Sequence, residues 1–220
     1  MHSNDKLWPE PAEPTEEHPV EGVTLLRAFC CEEAVTLYDA IASVEAISPF
    51  RQMVVPSGHT MSVAMTNAGT FGWTTDRTGY RYTTVDPETR TPWPAMAAPL
   101  LSLAQRAAAA GGFPGFAPNS CLINRYSIGA RLSLHQDRNE QDYTQPIVSV
   151  SLGLPATFLL GTLLRAETPR RIRIEHGDVL VWGGPARLIF HGVAPIAAGI
   201  HALTGSFRIN LTFRYVAVSG

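Results

Sequence analysis

The sequence almost lacks lysine: Lys6 is the only one among 17 basic residues, and the rest are arginine. It is poor in cysteine. Cys30, Cys31 and Cys121 make an odd count, two of them are adjacent, and no C-x-x-C occurs. This excludes a disulfide framework and a cysteine zinc site, and it fits a reducing compartment. No apolar run is long enough to cross a bilayer. The opening MHSNDKLWPEPAEPTEEHPVEG has neither the basic start nor the apolar stretch of a signal peptide. A cytoplasmic protein with no membrane segment is therefore expected. Hydrophobic residues make up 45% of the chain and charged residues 16%, which excludes a disordered polymer. A length of 220 residues suits one buried core, and a monomer is the default.

The formal net charge is −2, but it is unevenly placed. Residues 1–50 carry −8 and residues 51–220 carry +6. The positive charge of the body is all guanidinium, a group that forks onto phosphates and carboxylates. An arginine-biased genome would give the same composition, and charge alone does not separate the two explanations. Residues 1–18 are acidic and proline-rich and are expected to form a mobile tail, with residues 19–220 as a single domain.

Cys31–Ser48 has an acidic start and apolar residues at helical spacing, which predicts a helix. Pro92–Gly112 predicts a second, with proline near its start and Gly111-Gly112 as its stop. Between them lie Thr-, Gly- and aromatic-rich stretches (TMSVAMTN, FGWTT, GYRYTT) that read as short strands. From Cys121 onward only short strands are legible: CLINRYS, RLSLHQD, PIVSVSLGL, TFLLG, RRIRIEHGDVLVWGG, RLIFHGV and SFRINLTFRYV. The fold class is mainly β, within α+β: a β-sandwich or jelly roll with flanking helices.

The last strand is the most informative. Arg208, Asn210, Thr212 and Arg214 alternate with Ile209, Leu211, Phe213 and Tyr215, so period two puts the polar four on one face. That face either meets water or lines a cavity; in the second case two arginines and an amide suit a small dicarboxylate. Asn124 and Tyr126 share a face of CLINRYS, and Ser149 and Ser151 share one in PIVSVSLG. His135 and Asp137 in SLHQD stand at i and i+2, on one side of an extended chain. The pair alone is weak. His191, in RLIFHG and 54 residues later, completes two histidines and a carboxylate, the facial triad of non-heme Fe(II) oxygenases. His2, His18, His59, His176 and His201 have no such partner set in the sequence, and His176 in EHGD reads as a turn residue.

H-x-D, a distant histidine and R-x-N-x-x-x-R in the last strand resemble the AlkB family of Fe(II)/2-oxoglutarate-dependent nucleic acid dealkylases, near its bacterial DNA-repair members. The likeness runs from about Gly22 to Arg214. It is carried by SPFRQMV, TMSVAMTN, GWTT, PWPAM, CLINRY, LSLHQD, PIVSVSLGLPA, EHGDV, VWGG and NLTFR.

The resemblance implies a double-stranded β-helix (jelly roll) with an N-terminal nucleotide-recognition lid over residues 51–93. It implies His135, Asp137 and His191 on iron. Arg208 and Arg214 would then lie on the carboxylates of 2-oxoglutarate, with Asn124, Tyr126 and Asn210 as hydrogen-bonding partners and O₂ as oxidant. Trp73 would stack on the damaged base opposite His135, with Tyr80 on the same lid. Simple hydrophobic packing is the alternative for both aromatics. Arg51, Arg77, Arg81, Arg131, Arg138 and Arg165 are candidates for backbone phosphates.

The implied function is repair of alkylated bases, such as 1-methyladenine and 3-methylcytosine, in single-stranded or duplex DNA, with RNA as a further substrate class. The same oxygenase centre acting on RNA or a protein side chain is one rival. A cupin-like binding module without turnover is another. One departure is local: where the family pattern has an acidic residue two positions after the aspartate, this chain has Asn139, followed by Glu140.

Overall fold

The structure, a computed structural model, describes residues 15–217. Two strands precede the first helix: β1 (Glu16–Val20) and β2 (Val23–Leu26). The span expected as a tail, residues 1–18, overlaps this strand, because Glu16 and Glu17 pair with Leu26 and Leu25; residues 1–14 lie outside the described residues. Helix α1 covers Ala34–Ile47, within the predicted span. Helix α2 covers Ala98–Ala110 and starts later than predicted. The Pro92–Ala97 stretch stays non-helical, since the proline ring disfavours helical backbone in the residue before it. Trp93 of that stretch is instead a buried anchor.

The remaining strands are β3 (Arg51–Val54), β4 (Thr60–Gly69), β5 (Gly72–Asp76), β6 (Gly79–Thr83), β7 (Ser120–Tyr126), β8 (Leu132–His135), β9 (Ile147–Gly153), β10 (Ala156–Leu160), β11 (Arg170–Ile174), β12 (Val179–Trp182), β13 (His191–Val193) and β14 (Arg208–Arg214). RLIFHGV is a strand only from His191; Arg187 ends a 3₁₀ turn, Gly184–Ala186. His176 lies in the turn between β11 and β12, as the sequence suggests.

The major sheet runs β1-β2-β12-β9-β14-β7-β4-β3 and the minor sheet β11-β10-β13-β8, all antiparallel. The sheets enclose one apolar layer, with Leu122, Ile147, Leu180 and Trp182 from one sheet and Phe158, Leu160, Ile172 and Val193 from the other. A second layer lies on the outer face of the major sheet, where Ile123, Val150, Ile209, Leu211 and Phe213 pack against Leu37, Ile41, Leu100 and Leu103 of the helices. This is a jelly roll with helices on one flank.

Strand β14 sits in the middle of the major sheet between β9 and β7, and all seven of its residues are buried. Its apolar residues face the helices. Arg208, Asn210, Thr212 and Arg214 therefore face the space between the sheets, not water.

Strands β5 and β6 form a separate hairpin. A lone hairpin is marginal in water, and this one is held at its base. Gly72 lies so close to the Trp93 indole that a Cβ there would collide with the ring. The Trp93 indole N–H donates to the Thr83 carbonyl. The buried Asn67 amide accepts from Trp73 N–H and donates to Trp73 C=O, at 3.0 Å each.

The Arg51 guanidinium forks onto the fully buried Asp86 at 2.6 and 2.9 Å and lies 5.2 Å from the Trp93 ring. It is thus a structural cation and not a free phosphate ligand. Arg81 is likewise paired with Asp76 within the hairpin. Burial would raise the Asp86 carboxyl, but Arg51 and the Ser48 hydroxyl outweigh it and hold it below its ordinary value. That contribution is complete above the unfolded aspartate pKa of ~3.9 and is lost as pH falls through the depressed value. Arg51→Ala is expected to cost roughly 3–5 kcal/mol, because it leaves a buried charge unpaired. The check is the denaturant midpoint; an unchanged midpoint with weakened nucleic-acid binding would return Arg51 to the phosphate ligands.

Candidate active site

The pairing of β8 with β13 sets His135 directly opposite His191, with ring centroids 4.4 Å apart. Asp137 lies two residues past the end of β8. The side chain faces the Nε2 atoms of both rings, with Oδ1 3.8 Å from His135 Nε2 and Oδ2 3.7 Å from His191 Nε2. Those separations are too long for hydrogen bonds. One ligand atom from each residue falls within 4.8 Å of the others, a set that could hold a metal ion.

Both imidazoles are oriented by their own strands. Nδ1 of His135 is 2.8 Å from the Ser133 carbonyl, and Nδ1 of His191 is 3.1 Å from the Ile189 carbonyl. A carbonyl can only accept, so Nδ1 carries the proton and Nε2 keeps a free lone pair toward Asp137. Burial, with His135 alongside, pushes the His191 imidazole down to about 4, so it is neutral at pH 7. Phe158 stacks on His191 at 5.9 Å and Trp182 meets its edge at 5.0 Å, which walls off that side.

Burial opposes a charge on Asp137, but Arg214 and the two histidines hold its carboxyl well below the usual carboxylate range. Arg214 Nε and Nη2 donate to Asp137 Oδ2 at 3.0 and 2.7 Å. Among the described residues its Nη1 is buried without a partner, as are Nε and Nη1 of Arg208 and Oδ1 of Asn124. Buried N–H groups of that kind are costly unless an acceptor meets them. Along the strip between the arginines, Asn210 donates to Ser149 Oγ and the Val150 carbonyl and accepts from Asn124 and Thr212. Tyr126 is buried with its ring 5.1 Å from the Arg208 guanidinium.

These groups open into a cavity of about 890 Å³. It is lined by His135, Asp137, His191, Asn124, Tyr126, Asn210 and Arg214, and nearer the hairpin by Trp73 and Tyr80. Arg138, Asn139 and Arg165 line it too and are exposed. Arg208 does not line it, because that side chain is fully enclosed, and of the arginines named as phosphate candidates Arg51, Arg77 and Arg81 lie outside its lining as well. Trp73 and Tyr80 stack on each other at 5.8 Å and 24°, diagonal neighbours on one face of the hairpin. Arg131 also lines the cavity, and the Arg165 guanidinium lies 5.6 Å over Phe190, next to His191.

Sequence reasoning missed the buried support around Asp137. Arg187 donates to the Asp137 and Gln145 carbonyls and to Glu140. Glu140 is 2% exposed and also accepts from the Tyr82 hydroxyl. The charge of Glu140 is therefore engaged inside the protein and does not replace the acidic group absent at Asn139. The period-two spacing of Tyr80 and Tyr82 was the one available signal for this network.

A model of the 2OG-Fe(II) oxygenase superfamily matches residues 22–214. The chain is 52% identical over 217 residues to the alpha-ketoglutarate-dependent dioxygenase AlkB of Salmonella typhimurium, covering 99% of this chain and 97% of that one. It is 56% identical over 203 residues to the protein of the same name from Escherichia coli, covering 92% and 94%. Among solved structures, OsALKBH1 superposes with a TM-score of 0.79 at 26% identity, covering 91% of this chain and all of that one. Among the described residues, no helix is long and apolar enough to cross a membrane.

Replacing either histidine by alanine leaves two ligands of three. His135→Ala and His191→Ala are each expected to weaken Mn(II) binding by more than the roughly 10–100-fold that loss of an outer partner costs. Calorimetric titration reads this directly, and near-native affinity in either variant would remove that residue from the ligand set.

Proposed function

This chain belongs to the AlkB family within the 2OG-Fe(II) oxygenase superfamily, and from that premise we propose that it is a DNA-repair dioxygenase removing alkyl groups from damaged bases. The observation that carries the reading is one shared cavity. It joins a three-ligand metal set, Arg214 with a buried Nη1 that has no partner among the described residues, a pair of stacked aromatics on a hairpin and exposed arginines at the mouth.

The residues fit the groups the family uses. His135, Asp137 and His191 would hold Fe(II) through two imidazole nitrogens and one carboxylate oxygen. Arg208 and the free Nη1 of Arg214 would meet the two carboxylates of 2-oxoglutarate, with Asn124, Tyr126 and Asn210 beside it. When bound, iron and 2-oxoglutarate supply the oxidising power of O₂, with succinate and CO₂ as by-products. Arg214 keeps Asp137 ionised and ties its Oδ2 in place. The Ser133 and Ile189 carbonyls fix both imidazoles in the ligating tautomer. Phe158 and Trp182 keep one wall of the centre apolar.

A base inside a duplex cannot reach so enclosed a centre, so it is flipped out or taken from a single strand. Residues 51–93 would form the recognition lid. Trp73 gives the extruded base a flat face in place of lost stacking, worth ~1–3 kcal/mol, with His135 on the other side. Tyr80 widens that face, and Arg138 and Arg165 would take backbone phosphates at the mouth. Hydroxylation of an N-methyl carbon gives a product that collapses to formaldehyde and the restored base.

The decisive assay is formaldehyde release from an oligonucleotide carrying 1-methyladenine, with Fe(II) and 2-oxoglutarate. Matched single-stranded DNA, duplex DNA and RNA rank the substrate classes, and DNA is expected to lead. Release of succinate with no formaldehyde from any nucleic acid would overturn the substrate assignment; absence of both would leave a binding module.

Asn139 bears on which lesion is preferred. Methylation at N1 of adenine or N3 of cytosine makes the ring cationic, and an ionised acid beside it would favour that charge. Asparagine offers only a neutral carbonyl acceptor. Asn139→Asp is therefore expected to shift the rate ratio toward 3-methylcytosine over a neutral bridged adduct. An unmoved ratio would mean that Asn139 does not tune substrate choice.

A further inference from the structure

Tyr82 joins the hairpin to the metal centre. On β6 it pairs in register with Trp73, so their side chains share a face. Its hydroxyl donates to Glu140 Oε1 at 2.6 Å across 58 residues of chain. Glu140 Oε2 accepts from Arg187 Nη2 at 3.1 Å, and Arg187 Nη1 donates to the Asp137 carbonyl at 2.7 Å. On the other side Arg214 Nε lies 3.6 Å from Glu140 Oε1 and donates to the Asp137 carboxylate. Asp137, Glu140, Arg187 and Arg214 thus close a ring of two carboxylates and two guanidiniums, all buried. Arg187 braces the main chain of Asp137 and Arg214 its side chain. Tyr82 is the hairpin residue hydrogen-bonded to Glu140, at the centre of that ring.

We propose that Tyr82 is a positioning residue, and that its bond to Glu140 carries the state of the metal site to the hairpin and so to the stacking ring of Trp73. A closed network inside a low-dielectric interior has little slack, because moving one member strands another. Filling the centre fixes Asp137, and through Arg187 and Arg214 it fixes Glu140. Glu140 then holds the Tyr82 hydroxyl at one height over the cavity. By linkage, a hairpin seated on a base favours the filled centre in return. The Asn67 clamp on Trp73 and the Trp93 bond to Thr83 hold the base of the hairpin but reach no metal ligand directly, so they cannot report its occupancy by this route. The inference rests on the proposed function of the cavity.

The test uses the full chain and needs no nucleic acid. Arg77 is exposed in the turn between β5 and β6 and offers trypsin a cut in the hairpin. Mn(II) with 2-oxoglutarate is expected to slow that cut in the native protein roughly tenfold, the size of one hydrogen bond to a charged group. In Tyr82→Phe, which removes only the hydroxyl, the protection is expected to vanish, and by the same linkage calorimetry should show the affinity for Mn(II) with 2-oxoglutarate falling by no more than about tenfold. Tyr80→Phe, which removes the neighbouring exposed hydroxyl, should keep the protection. In turnover, Tyr82→Phe should raise KM for a methylated oligonucleotide, leave kcat in place and move the KM for 2-oxoglutarate by no more than about tenfold. Equal protection in Tyr82→Phe, or none in the native protein, would overturn the inference. So would a fall in Mn(II) or 2-oxoglutarate affinity well beyond tenfold in Tyr82→Phe, which would mark a merely structural role. If Mn(II) and 2-oxoglutarate do not bind the native protein, it is the proposed function that fails, and calorimetry tells the two failures apart.

Discussion

The ion pair between Arg214 and Asp137 is the constraint on which this molecule turns. A carboxylate in a jelly-roll interior is costly unless a cation meets it with good geometry. Arg214 meets it through two N–H groups on one oxygen and is held in turn by its place at the end of a central strand. The pair lets an aspartate stay ionised between two imidazoles. Without it, the burial that keeps His191 neutral would drive Asp137 neutral as well, and the donor set would lose its anion. The second pair, Arg187 with Glu140, balances the first and ties it to the backbone that carries Asp137.

Strand β14 shows how one element serves two masters. Its odd-numbered residues are core for the helices, while Asn210, Thr212 and Arg214 line the cavity and Arg208 is enclosed beside it. The sequence alternation made this strand legible from the start. What it could not say was whether the polar face met water, because an exposed strand and a cavity strand share one pattern. The covering layer, β10 and β13 of the minor sheet, comes from segments read only as short strands.

Other features were legible for similar reasons. His135, Asp137 and His191 carried a chemical signature, and Trp73 and Tyr80 stood out as aromatics in a Gly- and Thr-rich stretch. Arg51 was misread because a guanidinium seeking phosphate and one seeking a buried Asp86 look alike in sequence. Glu140 stood out in the sequence only as the acid that follows Asn139, and nothing local shows that Tyr82 and Arg187, far away in the chain, enclose it. β1 was taken for tail because Glu16–His18 is polar, and its pairing with β2 is a tertiary fact.

The double duty of β14 has a consequence for quality control. A strand slipped by one residue would turn Arg208 and Arg214 into the helix layer and Ile209 and Phe213 into the cavity. Such a molecule loses its core and the Arg214–Asp137 ion pair in the same step. Misfolded copies therefore cannot keep a working oxidising centre inside a loosened shell. For a protein that would handle O₂ beside nucleic acid, an error in folding silences the chemistry instead of setting it loose.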